Sequence, residues 1–121
     1  MRAGPGRRLS VVAVPGSGID SVTVHAAGEL DLLTAQILLS ELTRLAQAGY
    51  RNVDLDLLAV TFCDATGLTA ILAGKREFIR HGGKVLVHDP CWALRTMLDI
   101  FDLTLALEPR GQHGADEGAH P

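Results

Sequence analysis

Aromatic residues are scarce in this chain. Three Phe, one Tyr and one Trp make up 4% of its 121 residues. Surfaces that bind single-stranded nucleic acid stack bases on aromatic rings, so that function is disfavoured and the core must be aliphatic. Positive charge is not in excess either. Eleven Lys and Arg face fourteen Asp and Glu, giving a formal net charge of -3 and a pI of about 5.9. The chain therefore lacks the overall electrostatic footprint of a nucleic-acid or anionic-membrane binder. Only two cysteines occur, Cys63 and Cys91, with no CxxC spacing. A structural zinc site needs about four ligands at short spacings, so these read as small apolar residues in a reducing compartment. No apolar run approaches the ~20 residues needed to cross a bilayer. Gly and Pro stand where a signal peptide carries its apolar segment. The expectation is a cytoplasmic protein with no nucleic-acid partner and no direct membrane insertion.

What is present is an ordinary globular composition, 47% hydrophobic, and enough length for one domain with a real core. Residues 1–8 are rich in Gly, Pro and Arg and read as a flexible tail. Residues 9–108 carry the fold. Residues 109–121 turn to Gly, His, Asp and Glu and read as a disordered tail.

Within the fold, Leu9 to Val14 is a short apolar run stopped by the turn Pro15-Gly16-Ser17-Gly18. Ile19 to Ala27 alternates apolar and polar residues, which predicts a half-buried strand. Together they predict an antiparallel hairpin. His25 reads as a surface strand residue. Gly28 is expected to end the strand, leaving Glu29 and Asp31 in a loop and Thr34 as a helix cap. Leu38, Leu42 and Leu45 recur at helical spacing up to Gly49. Val53 to Leu58 predicts the next strand, with Asp54 and Asp56 on its other side. A second helix follows to His81, closed by Gly82-Gly83. Lys84 to His88 reads as a buried strand. After Asp89-Pro90, residues Trp92, Leu94, Met97, Leu98 and Phe101 suggest the apolar side of a last helix. Leu103, Leu105 and Leu107 suggest a short final element. Strands separated by helices pair in parallel through crossovers. The fold class is α/β: a mixed sheet of four to five strands with an N-terminal antiparallel hairpin and helices packed on it.

One stretch organises the rest: Phe62-Cys63-Asp64-Ala65-Thr66-Gly67-Leu68. A β-prone run leads into it and a helical pattern leads out, so it sits at a strand-to-helix turn. The first N–H groups of a helix lack partners and carry partial positive charge. A phosphate at Thr66 is therefore tolerable there. The plainer reading is that Asp64 or Thr66 caps the helix.

Other polar features carry less chemistry. Glu29 and Asp31 resemble a metal or acid–base pair, but no third ligand is at hand, and acids before a helix are commonly solvated. Asp31 stays a candidate for a partner surface. Gly74-Lys75-Arg76 is not a phosphate loop, because Thr69 and Arg76 stand where Gly and Ser or Thr are required. Lys75, Arg76, Glu77 and Arg80 read as an exposed side or as a basic edge facing an acidic partner. A receiver domain is excluded because Val14-Pro15-Gly16 replaces the acidic pair after the first strand. His113 and His120 give no metal signal.

From Leu9 to Leu107 the chain resembles a STAS domain of the anti-sigma factor antagonist type. The resemblance rests on Gly28-Glu29-Leu30-Asp31, on Asp56-Leu57, and above all on Phe62 to Leu68. The family motif is Asp-Ser-Ser/Thr-Gly-Leu, and its second hydroxyl residue is phosphorylated by a cognate anti-sigma factor kinase. That position is Thr66, and Ala65 replaces the first hydroxyl. The resemblance implies a STAS-type sheet and partner contacts through Glu29, Asp31, Asp64, Ala65, Thr66, Gly67 and Leu68. It implies an anti-sigma factor serine/threonine kinase as partner and a phosphatase acting on phospho-Thr66, with no cofactor and no metal. The unphosphorylated protein would bind the anti-sigma factor and release a sigma factor; phosphorylation would end the contact. An alternative is a STAS subunit of a membrane lipid ABC transporter, docking on an ATPase subunit. An enzyme is the third class. No P-loop, metal cluster or nucleophile–base pair supports it, and no His lies near Thr66 in sequence, so no catalysis is expected.

Overall fold

In a computed structural model of the protein, the described residues are 9–88, 92 and 94–96. Both tails and the element at Leu103–Leu107 lie outside them, as does most of the last helix. Four strands and two helices are laid out as β1 (Ser10–Pro15), β2 (Ser21–Leu30), α1 (Ala35–Ala48), β3 (Asn52–Cys63), α2 (Ala65–Arg80) and β4 (Lys84–His88). The sheet order is β1-β2-β3-β4. The β1–β2 pair is antiparallel, and β2–β3 and β3–β4 are parallel. This is the mixed α/β sheet that the sequence predicts.

The strand order advances in one direction, so both crossovers set their helices on one face of the sheet. That face holds the core. Val22, Val24 and Ala26 of β2, Leu55 and Leu57 of β3, and Val85 and Val87 of β4 meet Leu38, Leu42 and Leu45 of α1 and Ile71 and Phe78 of α2. All are aliphatic but Phe78, which is fully buried. Leu42 lies against Gly74, so α1 and α2 approach closely at that point. Ile79 turns out to solvent, and Trp92 is exposed rather than on an apolar side, whereas Leu94 is buried.

The opposite face is mixed: Val12 and Val14 of β1 are exposed beside His25 and Thr23, and two cross-strand polar pairs lie on it. His25 Nδ1 donates to Asp56 Oδ2 at 2.9 Å, and His88 Nε2 donates to Asp54 Oδ1 at 2.9 Å. His25 thus lies at the surface with a cross-strand partner.

Two element ends differ from the sequence reading. Gly28 does not stop β2; the strand runs on to Leu30, carrying Glu29 with it. Gly28 has φ 115°, a left-handed conformation that glycine adopts without steric cost, and it sits at a register shift. β3 likewise runs beyond Leu58 to Cys63. Between His25↔Asp56 and Ala27↔Ala59, β3 advances by one residue more than β2, and it does so again between Gly28↔Val60 and Glu29↔Phe62. Each extra residue changes the inward step from two to three. Leu57, Val60 and Cys63 therefore all point into the core.

Candidate functional site

The carboxyl ends of β2 and β3 lie side by side, because Leu30 pairs with Cys63. The Asp64 N–H extends this ladder by donating to the Leu30 carbonyl at 3.2 Å. α2 starts at the next residue. Asp64 is its N-cap: the carboxylate accepts the Gly67 N–H at 3.0 Å, and the Asp64 carbonyl accepts the Leu68 N–H at 3.0 Å. Capping thus falls to Asp64 and not to Thr66. The Thr66 side chain is half-buried and its hydroxyl has no hydrogen-bond partner among the described residues. A hydroxyl with free lone pairs and a free proton, set in the first turn of a helix, can accept a phosphoryl group without losing an existing contact. The helix dipole there favours the added negative charge.

Gly67 and Leu68 face inward. Leu68 is buried, and Gly67 fits against the sheet: a Cβ there would lie 2.6 Å from the Leu30 carbonyl oxygen and 2.8 Å from Cys63 Sγ. Of the predicted contact residues, these two hold the turn in place from beneath. Ala65 is exposed, so the missing first hydroxyl of the motif removes no packing.

The loop from Asp31 to Thr34 lies beside this turn, since it leaves the end of β2. Thr34 does not cap α1 with its side chain. Its hydroxyl turns back instead, donating to the Glu29 carbonyl at 2.6 Å and accepting the Asp31 N–H at 2.9 Å. Asp31 closes the turn that precedes α1. Its Oδ1 accepts the N–H groups of Leu33 and Thr34 at 3.0 and 3.1 Å. Glu29 is half-buried at the strand end, opposite Phe62. The side chains between Asp31 and Thr34 escaped sequence reasoning: Leu32 and Leu33 are 72% and 85% exposed. The available signal was their position, two leucines outside the helical apolar spacing of α1.

Elsewhere the polar groups serve the fold. Lys75 is not part of the exposed side of α2; its ammonium donates to the Val85 carbonyl at 2.7 Å. Arg80 pairs with Glu77 at 3.3 Å. Arg44 forms a two-pronged contact with Glu41, and this hydrogen bond lowers the Glu41 carboxyl below its ordinary value. No group of three or more His, Cys, Asp or Glu side chains among the described residues is arranged to hold a metal. No helix among them is long and apolar enough to cross a membrane.

The family model for the STAS domain matches residues 11–109. The chain belongs to the STAS domain family. Solved structures agree with it in fold. An anti-sigma factor antagonist from Mycobacterium paratuberculosis has a TM-score of 0.75 at 19% identity, over 98% of this chain and 97% of that one. The anti-sigma factor antagonist SpoIIAA in its unphosphorylated form has a TM-score of 0.71 at 16% identity, over 88% and 92%. The murine anion transporter Slc26a9 contains a similar unit, with a TM-score of 0.60 at 12% identity, over 78% of this chain but 18% of that one. No sequence among curated proteins matches significantly. In this STAS domain the motif and the Glu29–Thr34 segment share one rim of the sheet.

Proposed function

We propose that this STAS domain is an anti-sigma factor antagonist switched by phosphorylation of Thr66. It has no catalysis of its own; it binds an anti-sigma factor kinase when unphosphorylated, and a sigma factor is thereby released. A phosphatase acting on phospho-Thr66 resets it. The observation that carries this reading is the Thr66 hydroxyl: without a partner among the described residues, half-buried and held in the first turn of α2 by the Asp64 cap. Supporting it is the similarity to SpoIIAA, which is known in unphosphorylated and phosphorylated forms.

The switch is local charge. Phosphorylation adds about -1.5 to -2 charges. In the first turn of a helix these leave the fold intact. At Thr66, next to the Asp64 carboxylate, they repel the phosphates of a nucleotide-bearing partner. Frustrating a close charge contact costs roughly 2–5 kcal/mol, which lowers affinity by more than tenfold. The experiment is a titration of the kinase with wild type, Thr66→Ala and Thr66→Glu. Wild type and Thr66→Ala are expected to bind and Thr66→Glu to lose binding, with far-UV spectra unchanged. A Thr66→Glu chain that binds as tightly as wild type would sink the switch.

The similarity to a unit of Slc26a9 favours a second reading, a docking subunit of a transporter. Neighbouring genes discriminate: a kinase or sigma factor for the first, transporter components for the second.

A further inference from the structure

We propose that Leu32 and Leu33 form an apolar anchor that enters a recess on the kinase partner, and that basic residues rim that recess. The inference rests on the partner-binding reading of Thr66 and names a second determinant of that contact.

Leu32 and Leu33 are two adjacent leucines held almost wholly in water. They are not on a loose tip. Asp31 Oδ1 takes the N–H groups of Leu33 and Thr34, the Asp31 carbonyl takes those of Thr34 and Ala35, and the Thr34 hydroxyl ties the loop to the end of β2. A loop fixed before binding loses little entropy on binding, so the apolar area it presents converts efficiently to affinity. The anchor leaves the end of β2, and the Asp64 N–H is bonded to the last carbonyl of that strand. Anchor and switch are thus neighbours on one rim.

The charges choose the occupant. Glu29 and Asp31 lie immediately before the leucines, at the end of β2 and the start of the loop, so the apolar pair carries carboxylates on that side. A second copy of this chain meeting it face to face would set like charge against like. An anionic lipid surface would be repelled. A protein with an apolar recess, cationic where it meets Glu29 and Asp31, satisfies both features.

The test titrates the purified anti-sigma factor kinases of the source genome, one by one, with the full chain. The variants are Leu32→Ser/Leu33→Ser, Thr66→Glu, and Leu58→Ser as a control at another exposed leucine (73%). Burying two leucines predicts a loss of roughly 100-fold or more in affinity for the double variant. Leu58→Ser should bind as wild type, and all variants should melt together. Binding to wild type should weaken as salt rises. A double variant that binds normally while Thr66→Glu does not would overturn the anchor and leave the switch standing. No binding of wild type to any kinase would overturn both. A wild-type dimer that the double variant converts to monomer would assign the leucines to self-association and overturn the proposal.

Discussion

Replacing Gly67 with Ala tests how the turn is built. A Cβ at Gly67 would lie 2.6 Å from the Leu30 carbonyl oxygen, 2.7 Å from Leu30 Cγ and 2.8 Å from Cys63 Sγ. One of these atoms is backbone, and it already accepts the Asp64 N–H. A side-chain rotation therefore cannot relieve the clash; the first turn of α2 has to lift off the end of β2. Overpacking costs ~1–3 kcal/mol, and weakening the Asp64 cap adds about 1 kcal/mol. The better helix propensity of Ala returns about 1 kcal/mol. The net loss is about 2 kcal/mol, or roughly 8 °C in Tm for a domain of this size. Thermal and urea denaturation followed by far-UV circular dichroism measure it. Gly49→Ala is the control: φ is 107° there, with nothing within 4 Å, so only backbone strain of about 1 kcal/mol applies. A Gly67→Ala chain as stable as wild type, or less affected than Gly49→Ala, would refute the close-approach reasoning.

Asp64→Ala should lose about 0.5–2 kcal/mol while Asp64→Asn keeps most of the cap, a difference readable in the same melts. Phe78→Ala should cost about 3–5 kcal/mol, because the ring is fully buried between helix and sheet; a smaller loss by urea titration would mean that the core collapses around the cavity. Glu41 has a carboxyl held below its ordinary value of 4.5 by Arg44. Its folded pKa is thus below its unfolded one, so the stabilisation is present above that ordinary value and is lost as pH falls through the folded pKa. Wild type and Glu41→Gln should therefore differ slightly at neutral pH and converge in acid, in melts taken across that range.

Local chemistry was legible in the sequence wherever one residue decides the outcome. A strand pattern that gives way to a helical one at Asp64 to Gly67 identified the turn and narrowed the cap to Asp64 or Thr66; the structure decides for Asp64. Alternation of strands and helices identified parallel pairing. The reading failed where the outcome depends on residues distant in sequence. Beyond Leu58 the buried positions step by three, Leu57, Val60 and Cys63, because two extra residues bulge against β2. A single strand does not disclose that register. Gly28 reads as a terminator for the same reason: a left-handed glycine in a bulge and one at a strand end are alike in sequence. Thr34 is an ordinary cap residue and stands at the N-cap position, yet its hydroxyl is drawn back to the Glu29 carbonyl, a contact that the local sequence does not disclose. His25–Asp56 and His88–Asp54 join partners more than thirty residues apart, and only strand pairing brings them together.

The most direct measurement is phosphopeptide mapping of the purified chain after incubation with ATP and an extract of its source cells, beside a Thr66→Ala control. Phosphate on Thr66 that vanishes in the control is the expected result. Phosphate on Thr61 or Thr69 instead, or none on a folded chain, would contradict the switch.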